Sequence, residues 1–293
     1  MHGFLTKRKE LQSVDNGVFL GRDRISLGSF QYVRYSLPYF LETARKLQIP
    51  FIDLYACAPH FNLDLMTPQE VSEKAKLIRG YGLQVFCITP EQVDYPWNLA
   101  AEDAALRKES IAHTMRAIDS AGSLSCENVL VTGGRGYYDK PKEEAWERSK
   151  DSLTQLASYA SARGVRLLLE TLTPASSNVI NTPDDQRRMI SEIPYENIGA
   201  VMDIGQMVVM KQPFAAYLEP SRLPAQVHLH DSHPAVHMAL GEGDLPLTDI
   251  LAQLEQAGYT GKYTIETNDA RYRLDPRASD EQSVRWLTEH RMI

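Results

Sequence analysis

Cysteine is scarce: Cys57, Cys87 and Cys126 are the only three in 293 residues. Their number is odd and their spacing fits neither a disulfide framework nor a zinc site, so they read as buried thiols in a reducing, cytoplasmic setting. Long apolar runs are missing too. Stretches such as 167–169 are far too short to span a bilayer, and the opening residues, with Lys7, Arg8, Lys9 and Glu10, lack the apolar core of a secretory signal. Positive charge is in deficit, 31 Lys and Arg against 38 Asp and Glu, a net −7. A nucleic-acid binder needs a clustered basic face, so no nucleic-acid partner and no membrane partner are expected. No low-complexity stretch and no linker rich in Pro, Gly and Ser divides the chain.

What is there alternates. Short apolar or β-branched runs fall at 25–29, 51–55, 83–88, 128–132, 165–170, 199–203, 225–229 and 262–266. Between them lie helix-period segments at 37–47, 68–81, 102–121, 142–163, 183–192 and 247–257, with a last one at 280–289. The segment between the sixth and seventh runs is interrupted by Pro213, Pro220 and Pro224 and supports a short helix at best. Thr67-Pro68 and Thr182-Pro183 each place a capping threonine before a proline at the first helical position. Gly82, Gly164 and Gly258 stand where a left-handed helix end is wanted. Eight strands each feeding a helix predict an α/β fold, a (β/α)8 TIM barrel. An open doubly wound sheet would show a glycine-rich phosphate turn after its first strand, and Leu27-Gly28-Ser29-Phe30-Gln31 is not one. Residues 1–22 read as an arm or a lid under the barrel, and 23–293 as a single catalytic domain.

Barrel chemistry sits at the C-terminal ends of the strands. Four consecutive strands end in metal-capable side chains: Glu170, Asp203, His228 and Glu266. Any one of them is as compatible with a helix cap or a loop anchor; four in register on successive strands carry the reading. Three carboxylates and an imidazole converging on one point repel each other unless a cation joins them. An oxygen-rich set with one nitrogen suits one divalent ion, Mn2+ first, with Mg2+, Co2+, Zn2+ or Ni2+ also compatible.

The run Leu169-Glu170-Thr171-Leu172-Thr173-Pro174 with Ser177-Asn178-Val179 resembles the fifth-strand motif of fructoselysine 3-epimerases and their relatives. So do Ile88-Thr89-Pro90-Glu91, Tyr95-Pro96-Trp97-Asn98 and Arg107-Lys108-Glu109-Ser110. Met202-Asp203-Ile204, His228-Leu229-His230-Asp231-Ser232 and Gly241-Glu242-Gly243 complete the pattern of the xylose isomerase-like sugar isomerase and epimerase barrels. The match runs from the second strand to the eighth.

That resemblance implies one divalent metal on Glu170, Asp203, His228 and Glu266, with His228 chosen over His230 because it lies three residues before Asp231. It implies substrate positions at His60 and His237, while strand alternation points His230 toward the same side, further out. Three positions depart from the ketose 3-epimerase pattern: Gln206 replaces a histidine, Ser176 a glutamate and His237 an arginine. These spare the metal set and bear on the substrate. Trp97, Tyr95 and Tyr137 are candidates for stacking on a sugar, and equally for local packing. Arg271 and Arg273 read as rim charges or contacts to an acidic substituent, and the roles of His233 and Glu91 stay open.

The implied activity is inversion of carbon 3 of a ketose or a 1-substituted ketose through an enediolate, with Glu170 and Glu266 as acid and base. An aldose–ketose isomerase and an inosose-type dehydratase are alternatives on the same site. A non-catalytic sugar-binding barrel has no support, since both glutamates are present. An apurinic-site endonuclease of this fold needs extra histidines after strands three and six, where this chain has Thr89-Pro90-Glu91 and Gln206. Relatives are often oligomers, so a homo-oligomer is an open expectation.

Overall fold

The computed structural model describes residues 18–92, 96–219, 221, 223–233 and 235–293. Tyr95 and residues 1–17 of the expected arm lie outside them. Among the described residues, eight parallel strands close into a barrel in chain order, β1 pairing with both β2 and β8. The strands are β1 (Ile25–Gly28), β2 (Phe51–Ala56), β3 (Gln84–Pro90), β4 (Asn128–Thr132), β5 (Arg166–Glu170), β6 (Ile198–Asp203), β7 (Gln226–Leu229) and β8 (Lys262–Ile265). The helices are α1 (Leu37–Lys46), α2 (Pro68–Gly80), α3 (Ala104–Leu124), α4 (Lys142–Ser161), α5 (Pro183–Glu192), α6 (Ile204–Val209), α7 (Leu247–Gln256) and α8 (Pro276–Glu289). No described helix is long and apolar enough to cross a membrane.

The expected caps form. Thr67 and Glu70 make a reciprocal capping box on α2, and Thr182 and Asp185 make one on α5, each satisfying two otherwise orphaned N–H groups. Gly82, Gly164 and Gly258 take φ of +76°, +67° and +88°, which turns the chain from helix to strand. Cys57, Cys87 and Cys126 are buried free thiols.

The largest boundary error is at α8, which begins a turn before the expected residue 280. Asp275 caps it, its carboxylate accepting the Ala278 N–H at 3.3 Å, with Pro276 in the first turn. Asp275-Pro276 is thus the same cap–proline signal as the two threonines. The weak segment after β6 holds the short α6 and a 3-10 turn at Phe214–Tyr217.

Asp280, expected as the first residue of the last helix, is fully buried inside α8. Its carboxylate accepts Tyr32 Oη–H at 2.5 Å and Gln31 Nε2–H at 3.1 Å, tying the turn after β1 to the last helix. Burial pushes this carboxyl up to about 8, against the pull of the two hydrogen bonds. A folded pKa above the unfolded one gives stability that is present in acid and is lost as pH rises through the folded value. Between about pH 5 and pH 8 the unfolding midpoint of the wild type should therefore fall more steeply than that of Asp280→Asn. Equal slopes in thermal melts would show that this carboxyl is ionised throughout.

Candidate metal centre

Alternate side chains on a strand share a face, so each barrel strand delivers its inward residues in layers. In the middle layer Cys87, Leu130, Leu168 and Val201 make an apolar patch. Opposite them the interior is polar. Asp53 on β2 accepts Thr89 Oγ1–H at 2.7 Å and Gln226 Nε2–H at 2.9 Å, and Gln226 also donates to Thr264 Oγ1 at 2.7 Å. One step toward the C-terminal ends, in line with Leu168, Val201, Gln226 and Thr264, stand Glu170, Asp203, His228 and Glu266.

These four converge. His228 Nδ1 lies 2.7 Å from Glu170 Oε1, 2.8 Å from Glu266 Oε2 and 3.6 Å from Asp203 Oδ2. One ligand atom from each lies within 4.8 Å of all the others. Yet His228 Nδ1 and Glu266 Oε2 are both buried without a hydrogen-bond partner, so the short approaches are not directed bonds. A donor set of three carboxylates and one imidazole, crowded and unpaired in this way, fits a divalent cation.

The charges follow from burial and neighbours. Burial pushes Glu170 up to about 7, outweighing the pull of His228, and the Glu266 and Asp203 charges add to the rise. Burial opposes charge on His228, but Glu266 and Glu170 hold its pKa well above the usual imidazole value. Burial would also raise Asp203, but His230 and His228 hold it well below the carboxylate range. Glu266 is lowered against burial by His228. Asp203 Oδ1 accepts the Gln206 N–H at 2.7 Å as the cap of α6, which leaves Oδ2 on the His228 side.

The substrate candidates are placed unevenly. Gln206 sits beside the centre on α6, its side-chain Oε1 buried and unpaired. His237 is held against it, Nδ1 lying 3.2 Å from the Glu266 carbonyl and the ring stacked on His230 at 4.2 Å. His60 is buried in the β2–α2 loop, Nε2–H donating to the Tyr35 carbonyl at 2.6 Å and Nδ1 unpaired. Ser176 is half-buried in a turn after β5, its N–H on the Thr173 carbonyl. Trp97 stacks on His113 at 4.5 Å, which is local packing. His230 does not line the mouth: it is fully buried behind Asp203, Nε2 3.3 Å from Oδ1, because Gly205 lets the ring lie against α6.

Phe30, Tyr55 and Asp53 were not singled out from the sequence. Phe30 and Tyr55, with ring centroids 4.6 Å apart, line a cavity of about 20 Å³ together with Asp53, His228 and Glu266. Their signal was position, immediately at or after the ends of β1 and β2. Asp53 had a clearer one, an acid inside an apolar strand run; burial raises its pKa, with His228 pulling it down. A cavity of about 450 Å³ lies at the opposite end of β3 between α2 and α3, away from the four donors. Asp231 and Glu242 prove to build the loop after β7: Asp231 accepts the N–H groups of Gly241 and Leu245, and Glu242 accepts Tyr272 Oη–H at 2.5 Å.

Sequence comparison finds a fructoselysine 3-epimerase of Shigella flexneri, 27% identical over 255 residues, covering 86% of this chain and 92% of the relative. A D-psicose 3-epimerase of Ruminiclostridium cellulolyticum is 23% identical over 236 residues, 78% of this chain and 77% of its own. Among solved structures, a D-psicose 3-epimerase in the presence of D-fructose superposes with a TM-score of 0.77 at 18% identity, covering 92% of this chain and 98% of that one. A family profile described as a xylose isomerase-like TIM barrel matches residues 41–290. With that match spanning the barrel from α1 to α8, the chain belongs to the xylose isomerase-like TIM barrel family.

Proposed function

We propose that this protein is a divalent-metal-dependent isomerase that inverts carbon 3 of a ketose or a 1-substituted ketose of the fructoselysine type. The observation that carries the reading is the convergence of Glu170, Asp203, His228 and Glu266 within 4.8 Å, with two glutamates meeting one imidazole nitrogen from different strands. Relatives named as 3-epimerases of fructoselysine and of D-psicose support the reaction class.

Epimerisation removes a proton from the carbon beside a carbonyl and returns one to the opposite face. A bound divalent ion, Mn2+ first, supplies Lewis-acid stabilisation of the negative charge that develops on the sugar oxygens. Glu170 and Glu266 would help hold the ion and would also move protons through their carboxyl groups. The carboxylate of one takes the carbon-3 proton, the electron pair moves into the adjacent carbonyl to give an enediolate, and the carboxylic acid of the other delivers a proton to the far face. Asp203 and His228 act as ligands with no proton to move.

Gln206 Oε1, buried and unpaired, is an acceptor for a substrate hydroxyl, and His237 presents its ring beside Glu266. His60 and Ser176 belong to the surrounding loops and form the outer part of the substrate site, while Trp97 is taken up by its stack on His113. The partner is a small sugar, and the acidic balance of the chain supports no nucleic-acid role.

Solvent deuterium incorporation, followed by NMR across ketoses and fructosamine-type substrates with Mn2+ and after chelation, tests this. Exchange at carbon 3 with the 3-epimer appearing is the expected result. Exchange at carbon 1 with an aldose product would make the enzyme an isomerase of the aldose–ketose type, and loss of water would make it a dehydratase. Carbon-3 turnover that persists after chelation would remove the metal from the mechanism.

A further inference from the structure

The polar groups around His230 outnumber what its ring can satisfy. The ring is fully buried, and each nitrogen faces one donor and one acceptor. Nε2 lies 3.1 Å from the Gly205 N–H and 3.3 Å from Asp203 Oδ1, while Nδ1 lies 3.2 Å from both the His237 N–H and the Asp231 carbonyl. A neutral imidazole has one N–H and one lone pair, so one tautomer meets one pair of these groups and the other tautomer meets the second pair. With Nε2 protonated, the ring donates to a buried carboxylate, a charge-assisted bond, and Nδ1 accepts from His237.

Two backbone features are built around that ring. A Cβ at residue 205 would fall 2.3 Å from His230 Cε1, so only glycine lets the ring reach Asp203 past the start of α6. His237, whose N–H meets Nδ1, has φ of +56°, a left-handed conformation that a non-glycine residue holds only when its surroundings fix it. Its ring lies stacked on that of His230.

The geometry points to His230 as a positioning residue that locks Asp203 into one-oxygen ligation and couples this ligand to the His237 loop. Asp203 Oδ1 is occupied by the Gln206 N–H and His230, so Oδ2 alone faces His228. The same ring seats the backbone of His237, so the loop that presents a substrate group and the ligand beneath it are set together. This role rests on reading the four strand-end donors as a divalent-metal site.

Two near-isosteres separate the arms. In His230→Gln the amide reaches the Nε2 position and keeps a donor to Asp203. In His230→Asn the amide reaches the Nδ1 position and keeps an acceptor for His237 but leaves Asp203 Oδ1 with the Gln206 N–H alone. Titration calorimetry with Mn2+ on the full chain should give one ion in the wild type, an affinity within about threefold for H230Q, and a loss of about tenfold or more for H230N. A merely structural role would lower the melting temperature of both variants and leave their Mn2+ affinities together. Should H230N fail to fold, Gly205→Ala provides the same test with His230 retained, since the added methyl displaces the ring from Asp203. Wild-type affinity in H230N or in G205A overturns the proposal. Two ions per wild-type chain, one of them lost in H230N, also overturn it, by making Asp203, His230 and His237 a second cation site. No Mn2+ binding by the wild type overturns the metal reading and this one with it.

Discussion

Glu170→Gln should severely slow epimerisation yet keep proton exchange on one face of the substrate. The amide retains an oxygen for ligation and loses the ability to accept a proton. Glu266 still removes the carbon-3 proton from whichever epimer presents it, and returns solvent deuterium to the same side. Net epimerisation should fall by about 10³-fold, the scale of a lost general base. One epimer should nevertheless lose its carbon-3 proton signal in D2O. Glu266→Gln should show the mirror image, exchange of the other epimer only. Metal content measured on both variants separates loss of the base from loss of the ion, and Asp203→Asn, which weakens the ligand set and leaves both glutamates, should slow exchange of both epimers alike. Full epimerisation in either glutamine variant, or exchange of both epimers by both variants, would remove the two-base assignment.

The barrel was legible because its signals are local and repeated. A strand of parallel sheet is buried on both faces and reads as an apolar run, and a threonine before a proline marks a helix start wherever it occurs. The four strand-end donors were legible because each falls at or next to the C-terminal end of a strand run, on four strands in succession. What stayed hidden depends on partners distant in sequence. Asp280 reads only as the first residue of a helix, and its burial depends on its meeting with Tyr32, 248 positions away. Asp53 and Gln226 are 173 positions apart and bond across the barrel interior. Strand alternation points His230 the same way as His228 and further out, but Gly205 gives the ring room to lie behind Asp203. Trp97 shows the opposite case: an aromatic in a mouth loop suggests a stacking platform, and the platform is already occupied by His113.

Chelation should lower the melting temperature and reverse the stability order of wild type and E170Q. An ion that binds only the folded state at about a thousand times its Kd contributes about 4 kcal/mol, several degrees for a chain of this size. Removing it leaves three carboxylates, Asp203 buried and Glu170 and Glu266 partly so, with His228 as the one charge-compensating ring among the four donors. Glu170 carries the consequence, since burial holds its pKa up to about 7. An acid whose folded pKa exceeds its unfolded one destabilises the fold as pH rises through the folded value. At about pH 8 in chelator, E170Q should therefore melt above the wild type, because the amide removes a buried charge that has lost its counter-ion. With Mn2+ the order should invert, because the carboxylate binds the cation more strongly than the amide does. Thermal melts of the two proteins, each with Mn2+ and with chelator, measure all four states. If E170Q lies below the wild type in both conditions, Glu170 is stabilised by protein partners alone and the cation is not what balances its charge. If the two curves cross, the same carboxylate that weakens the metal-free fold is the one that the ion needs.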